Sequence, residues 1–453
     1  MLYAFLKLIV RIALRIFFKK LSVNDHQRLL VDGPLIVVAN HPNTFMDPIV
    51  IASFLRQQVY FLTNGAIFNT KLKQKLLNLI NMVPIYRKED SGGKNPDNRA
   101  VFKKCYEFLE GGGTLIIFPE GSSVNERRLR KLKTGTARIA LGAEHEFDFN
   151  LNLRILTIGL NYSDARRFRS DLLVNVDEVI HVKDFRAAYE EDQFNAAKLL
   201  TNHIQERLEQ HIIITKNQED DLLAQRIEVI YKGQLFEQSE EPYHERDFKI
   251  TKTIIEAIHY FQVEQPALVD EVNHEITEYF AQLDRLRIKD KNIAGEAHKN
   301  FTSHAFFSLI YTILGFPLYL LGLIGNYIPY ILPSKVANAI TKEVEYIAPI
   351  MMAVGTITFP LFYTLQVLAI YLFTQNGVLT LIYGLSLPIS GFFVLHYWNH
   401  LIATQDHWLI FSIFRKKNKL IDDLVTRRKR LIQLLEQAKA TYLSAIENNA
   451  PSE

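Results

Sequence analysis

Apolar and polar positions change their rhythm along this chain. From Pro34 to about Ile214, short apolar runs alternate with stretches of helical period. The runs are "PLIVVAN" from Pro34, "QVYFLT" from Gln58, "VPIYR" from Val83, "TLIIFPE" from Thr114, "RILTIGLNY" from Arg154 and "LLVNVDEVIHV" from Leu172. Rich in Val, Ile and aromatic residues and separated by helical patterns, they predict the strands of an α/β domain. In such sheets ligands gather beyond the strand ends, and the polar motifs of this chain sit there.

The two ends of the chain obey other rules. "MLYAFLKLIVRIALRIFFKK" is apolar and basic without one acid. Lys7, Arg11 and Arg15 recur every four residues and span roughly 80° of a helical wheel. That pattern predicts an amphipathic helix lying in the headgroup plane, with a core helix as the alternative. Basic residues interrupt the apolar run and no small-residue cleavage site follows, which argues against a signal peptide. Three apolar segments start at Ala305, Tyr346 and Gly377. Each exceeds the roughly 20 residues that a membrane span needs. The second and third are joined only by "TQN" and read as a hairpin.

These patterns divide the chain into an N-terminal membrane-surface helix (1–33), the α/β domain (34–215), a charged helical connector (216–302), membrane-embedded helices (303–400) and a basic helical tail (401–453). The basic stretch "FRKKNKLIDDLVTRRKR" from Phe414 marks the cytoplasmic side, and the α/β domain is expected on the same face of the membrane. An even number of crossings is then required. The first apolar segment, broken by Gly315, Pro317, Gly322, Gly325 and Pro329, is the one expected to enter and return on one face. Charge alternation from Lys419 to Ile446 reads as a solvated helix.

Composition refines this picture. Of 453 residues, 48% are hydrophobic and 22% charged, an average that hides a membrane part and a soluble part. A net charge of +3, with no dense basic arm, gives no reason to expect nucleic acid as a partner. The single cysteine, Cys105, rules out an internal disulfide and reads as a small buried hydrophobe. "HYWNH" sets His396 and His400 one helical turn apart. A metal would need further ligands, and an aromatic interface belt explains the stretch as well.

Candidate chemistry starts where the first run ends, in "NHPNTFMDP". His41 follows the strand and Asp47 comes six positions later, with Asn43 as a possible helix cap. A histidine whose one ring nitrogen donates to a carboxylate keeps the other free to take a proton from a hydroxyl. A surface cap with a histidine nearby is the alternative. "GGGTLIIFPEGSSVNERRLRKLKTG" from Gly111 ends a strand in Glu120, Gly121, Ser122 and Ser123, followed by Arg127, Arg128, Arg130, Lys131 and Lys133. Gly121 lets backbone approach a ligand, and hydroxyls, amides and cations suit phosphate oxygens. The spacing is neither a P-loop nor a dinucleotide fingerprint. Arg87 lies just past "VPIY", and Arg166, Arg167 and Arg169 either face water or meet anionic headgroups.

In this order the stretches resemble the glycerolipid acyltransferase family over about Pro34 to Val182. "FPEG" with the downstream "KTG" is the most specific signal. The resemblance implies a mixed sheet flanked by helices and transfer of an acyl group from acyl-CoA or acyl carrier protein to a phosphorylated glycerol. It also implies membrane phospholipid as a partner, no cofactor and no metal. It would make His41 the general base and Asp47 its orienter. Arg87 and Lys133 would be the anion clamp, with Asn43, Glu120, Gly121, Ser122 and Ser123 lining the substrate site. "HPNTFMDP", with five residues between His and Asp, and "GLNY" are similar to the fungal branch that acylates glycerol 3-phosphate and dihydroxyacetone phosphate. A 1-acylglycerol-3-phosphate acyltransferase is the alternative, and a non-catalytic lipid-binding membrane protein is the alternative from another class. The family's Thr-Arg after "FPEG" is Ser122-Ser123 here, which leaves the missing charge to Arg127 or Arg128. Thr157 stands where the family has a proline.

Overall fold

The computed structural model describes residues 2–65, 70–71, 74–75, 77, 81–85, 99–237, 243–294, 301–416 and 418–449. The chain divides into two compact units, Met1–Ile214 with Pro333–Thr356, and Thr215–Leu332 with Ile357–Glu453.

The first unit is built on a seven-stranded sheet of order β1-β7-β6-β2-β5-β3-β4. The strands are β1 Lys20–Asn24, β2 Leu35–Ala39, β3 Val59–Asn64, β4 Met82–Ile85, β5 Thr114–Ile117, β6 Arg154–Tyr162 and β7 Asp171–His181. All neighbours are parallel except β6 and β7. The expected α/β class holds, and the sheet is mixed. All of β2 is buried because helices cover both faces, which is why its sequence is one unbroken apolar run. Alternation still sorts its side chains. Leu35, Val37 and Ala39 pack with helices α1 (Leu2–Phe17) and α2 (Met46–Phe54). Ile36 and Val38 pack against Cys105, Leu109, Ala140 and Leu200 from helices Arg99–Glu110, Gly135–Glu146 and Gln193–His211. Burial pushes the Cys105 thiol up to about 12, so it stays a neutral apolar filler.

The N-terminal stretch departs from its expectation. The expected N-terminal helix is present as Leu2–Phe17, but it does not fill residues 1–33, because β1 extends the sheet alongside β7. Leu14, Phe17 and Phe18 enter the core. Lys7 and Arg11, expected at headgroups, instead donate to the Leu55 and Ser53 carbonyls, the latter at 2.7 Å. Those carbonyls close the C-terminal end of α2, where cations are favoured. Phe5, Leu8, Ile12 and Ile16 remain exposed on α1. Arg169, left open between water and headgroups, donates to the Ile16 and Phe18 carbonyls at the end of the same helix.

Behind β6 and β7 lies a buried anion. Asp177 accepts from Thr157 Oγ1 at 2.7 Å, Arg207 Nε at 2.7 Å and His211 Nε2 at 2.9 Å. The threonine in the family's proline position thus serves this carboxylate. Burial alone would raise the Asp177 pKa, but the His211, Arg207 and Thr157 donors outweigh it and hold the carboxyl well below the usual range.

In the second unit, helices Gln218–Glu237, Tyr243–Glu264, Pro266–Leu286 and Asn418–Asn449 pack together. The last buries Ile421, Leu424 and Leu431, so the tail is a packed helix rather than a solvated one. Its Arg428 pairs with the buried Asp290 at 2.9 Å. Three helices, Phe301–Ile340, Val344–Thr374 and Gly377–Lys416, contain segments long and apolar enough to cross a membrane. The third runs well past residue 400. Side chains of the basic stretch from Phe414 to Lys419 lie outside the described residues. The first segment does not break and return. Its glycines admit close helix packing: a Cβ at Gly322 would lie 2.8 Å from the Ser390 carbonyl oxygen, and one at Gly315 would lie 2.8 Å from the Tyr397 ring. His400 Nε2 faces the hydroxyls of Ser308 and Thr312, each at 3.3 Å.

The Asp177 cluster yields a test. Its stabilisation is present above the unfolded carboxylate value, about 3.9, and is lost as pH falls through the depressed folded value. Asp177→Asn should cost about 3–5 kcal/mol at pH 7, with the gap to wild type closing in acid. Denaturant unfolding across pH checks this, and equal stability at pH 7 would refute it.

Candidate functional site

Three parallel strands bring the polar motifs to one edge. In the sheet β2 lies between β6 and β5, with Val38 level with Thr157 and Ile117. The residues just beyond these strands, Asn40–His41, Phe118–Glu120 and Leu160–Tyr162, are therefore neighbours. Asn40 fixes the level: its Nδ2 donates to the Leu160 carbonyl at 3.0 Å and its Oδ1 accepts from the Leu160 amide at 2.8 Å.

His41 Nδ1 lies 2.9 Å from Asp47 Oδ2. Asp47 is fully buried in the first turn of α2, while the imidazole keeps 18% of its surface exposed, enough for a reactant to reach it. The same Oδ2 accepts from the Asn43 amide at 2.7 Å, and Oδ1 accepts from the Tyr162 hydroxyl at 2.7 Å. Burial, then the adjacent Asp47 carboxylate, push the Tyr162 phenol well above its usual value, so it acts as a donor. The His41 ring stacks on Phe118 with centroids 4.1 Å apart. Nε2 meets no hydrogen-bond partner among the described residues.

Glu120 clasps the two loops. Its Oε1 accepts from the His41 amide at 2.8 Å and its Oε2 from the Arg130 amide at 3.2 Å. Burial raises its pKa, an effect that these amides partly offset. Gly121 has φ +78, and a Cβ there would lie 3.0 Å from the Lys133 Cε and Nζ. The lysine side chain thus lies over the bare backbone. Ser122 Oγ accepts from Arg130 Nη1 at 3.0 Å, whereas Arg128 pairs with Glu126 at 3.0 Å. Arg130, rather than Arg128, therefore brings a cation to the serine turn.

The remaining candidate residues divide. Ser123 Oγ accepts from the Thr44 amide at 2.8 Å. Asn43 is fully buried, and its Nδ2 donates to the Ala165 carbonyl at 2.8 Å. Both side chains hold the loop. Arg87 lies outside the described residues. Tyr162, Arg130 and Thr44 escaped the sequence reading as individual site residues. "GLNY" was noted for its likeness, but nothing local to it points at Asp47.

The acyltransferase family model matches residues 20–160, the segment that carries this geometry apart from Tyr162 and Ala165. This segment is thus similar to the acyltransferase family, and the relatives it matches are glycerolipid acyltransferases. The chain is 25% identical over 248 residues to glycerol-3-phosphate O-acyltransferase 1 of Saccharomyces cerevisiae, covering 53% of this chain and 32% of that protein. It is 26% identical over 124 residues to a chloroplastic 1-acyl-sn-glycerol-3-phosphate acyltransferase of Arabidopsis thaliana, covering 27% of this chain and 33% of that one. The matched part thus spans about a third of either relative's length. Among solved structures, the 1-acyl-sn-glycerophosphate acyltransferase PlsC of Thermotoga maritima aligns with 44% of this chain and 78% of its own. The TM-score is 0.31 and the identity 18%.

The Tyr162 contact makes a direct prediction. Tyr162→Phe leaves Asp47 Oδ1 buried without its phenol donor and should cost about 1–3 kcal/mol of stability. Unfolding of the purified variant measures it. An unchanged free energy would mean that the carboxylate does not depend on the hydroxyl.

Proposed function

We propose that this chain is a membrane-bound O-acyltransferase that moves a fatty acyl group from a thioester donor to a hydroxyl of glycerol 3-phosphate or dihydroxyacetone phosphate. One observation carries the reading: His41 is held through Nδ1 by a buried carboxylate, with Nε2 meeting no hydrogen-bond partner among the described residues, beside a turn that gathers cations. A neutral imidazole in that tautomer is a base for a hydroxyl proton.

The chemistry then follows from the chain's own groups. Nε2 takes the proton as the acceptor oxygen attacks the thioester carbonyl. The tetrahedral intermediate collapses with cleavage of the carbon–sulfur bond, and the thiolate leaves with the proton that His41 returns. Asp47 keeps Nδ1–H oriented and steadies the imidazolium while it exists. Lys133 and Arg130 bind the acceptor phosphate with the Ser122 hydroxyl, and Arg87 is retained as a further phosphate ligand. Glu120, Ser123 and Asn43 shape the site by holding its loops. The chain also carries apolar helices long enough to cross a membrane, which suits a lipid product, and the basic stretch from Phe414 favours the cytoplasmic face.

The acceptor follows the "HPNTFMDP" pattern and the yeast relative. The match to the Arabidopsis protein supports a second reading, an already acylated glycerol phosphate as acceptor. A panel of glycerol 3-phosphate, dihydroxyacetone phosphate and lysophosphatidate, with wild type and His41→Ala, separates them. The expected result is acylation of one of the first two, reduced about a hundredfold or more by the substitution. Turnover of lysophosphatidate alone establishes the second reading. No acyl transfer by wild type leaves a lipid-binding protein without catalysis.

A further inference from the structure

Within the first unit a hydrogen bond joins two residues far apart in sequence, Thr44 and Glu345. Thr44 Oγ1 donates to the Glu345 carbonyl at 2.8 Å, and 301 residues separate the two. Thr44 sits midway between His41 and Asp47. Glu345 lies in the first turn of helix Val344–Thr374, in the elbow that joins two apolar helices long enough to span a membrane.

Thr44 also has φ +31, a left-handed conformation that a β-branched residue holds only when its surroundings impose it. Two contacts impose it here. The Thr44 amide donates to Ser123, and its hydroxyl reaches the elbow. The turn made at Thr44 is what lets the Asn43 amide and the His41 ring converge on one oxygen of Asp47. One residue further on, the Phe45 ring meets Tyr346 edge-on at 6.1 Å. Ala348 and Met352 continue the contact into the core beside Met46 and Val50 of α2.

We propose that this elbow, Pro333–Thr356, is a working part of the acyltransferase site and that Thr44 is the positioning residue through which it aims His41 at Asp47. The apolar helices then do more than anchor: their junction sets the geometry of the catalytic loop. The inference rests on the acyltransferase reading for its kinetic consequence, whereas the tie itself does not.

The test uses the full-length protein in detergent or vesicles. Thr44→Val preserves volume and branching and removes only the hydroxyl, Thr44→Ser restores it, and Tyr346→Ala loosens the elbow without touching Thr44. Thr44→Val and Tyr346→Ala should lower kcat about tenfold to a hundredfold, as misplacement of a catalytic group does. KM and membrane association should stay within about twofold, the signature of a lost positioning contact. Thr44→Ser should behave as wild type. Hydrogen exchange of the segment 40–47 should quicken in the two impaired variants and not in the serine variant. Wild-type kcat in Thr44→Val overturns the proposal, whatever its exchange. Uniform unfolding of Thr44→Val transfers the decision to Tyr346→Ala. If wild type acylates no acceptor, the functional reading fails separately, and unchanged exchange in the variants would still refute the tie.

Discussion

A carboxylate buried without solvent must be met by donors, and Asp47 organises this domain by that requirement. Its donors come from separate elements: His41 after β2, the Asn43 amide in the loop and Tyr162 at the end of β6. Tyr162 reaches it only because β2 and β6 stand at one level, which the paired Asn40 contacts to Leu160 secure. Removing one donor strands charge in an apolar interior, so the constraint fixes geometry as strongly as it stabilises it.

A second carboxylate does comparable work on the other flank. Glu120 binds the amides of His41 and Arg130, so the histidine loop and the basic loop cannot separate. Ser123 adds a link through Thr44. The cations that would meet a phosphate, Arg130 and Lys133, are thereby carried on a turn referenced to the same histidine. The proposed base and the proposed anion site are thus tied together by hydrogen bonds, the preorganisation that acyl transfer rewards. In the domain's interior the Asp177 cluster braces the antiparallel pair β6–β7.

Much of this was legible before any coordinates. Strands β2 to β7 fall on the expected runs; β2 and β5 are the plainest because they are fully buried parallel strands, and the His41 and "FPEG" stretches follow their ends. β1 was hidden, since "KLSVN" at a half-exposed edge has no such run. Lys7 and Arg11 were misread because basic residues on an apolar helix look alike whether they meet lipid phosphate or the carbonyl end of another helix. Broken-looking glycines in the first apolar segment proved to be packing sites in a continuous helix. Tyr162, Arg130 and the Thr44–Glu345 tie depend on tertiary neighbours. No local period encodes a partner 115 or 301 residues away.

The central claim is that Asp47 fixes one tautomer of His41 and leaves Nε2 as the base. Nitrogen-15 chemical shifts of the His41 ring, in protein labelled at histidine and held at a pH where the imidazole is neutral, test it most directly. The account predicts a protonated Nδ1 and a bare Nε2, with Asp47→Asn disturbing that assignment. A neutral ring carrying its proton on Nε2 would contradict it.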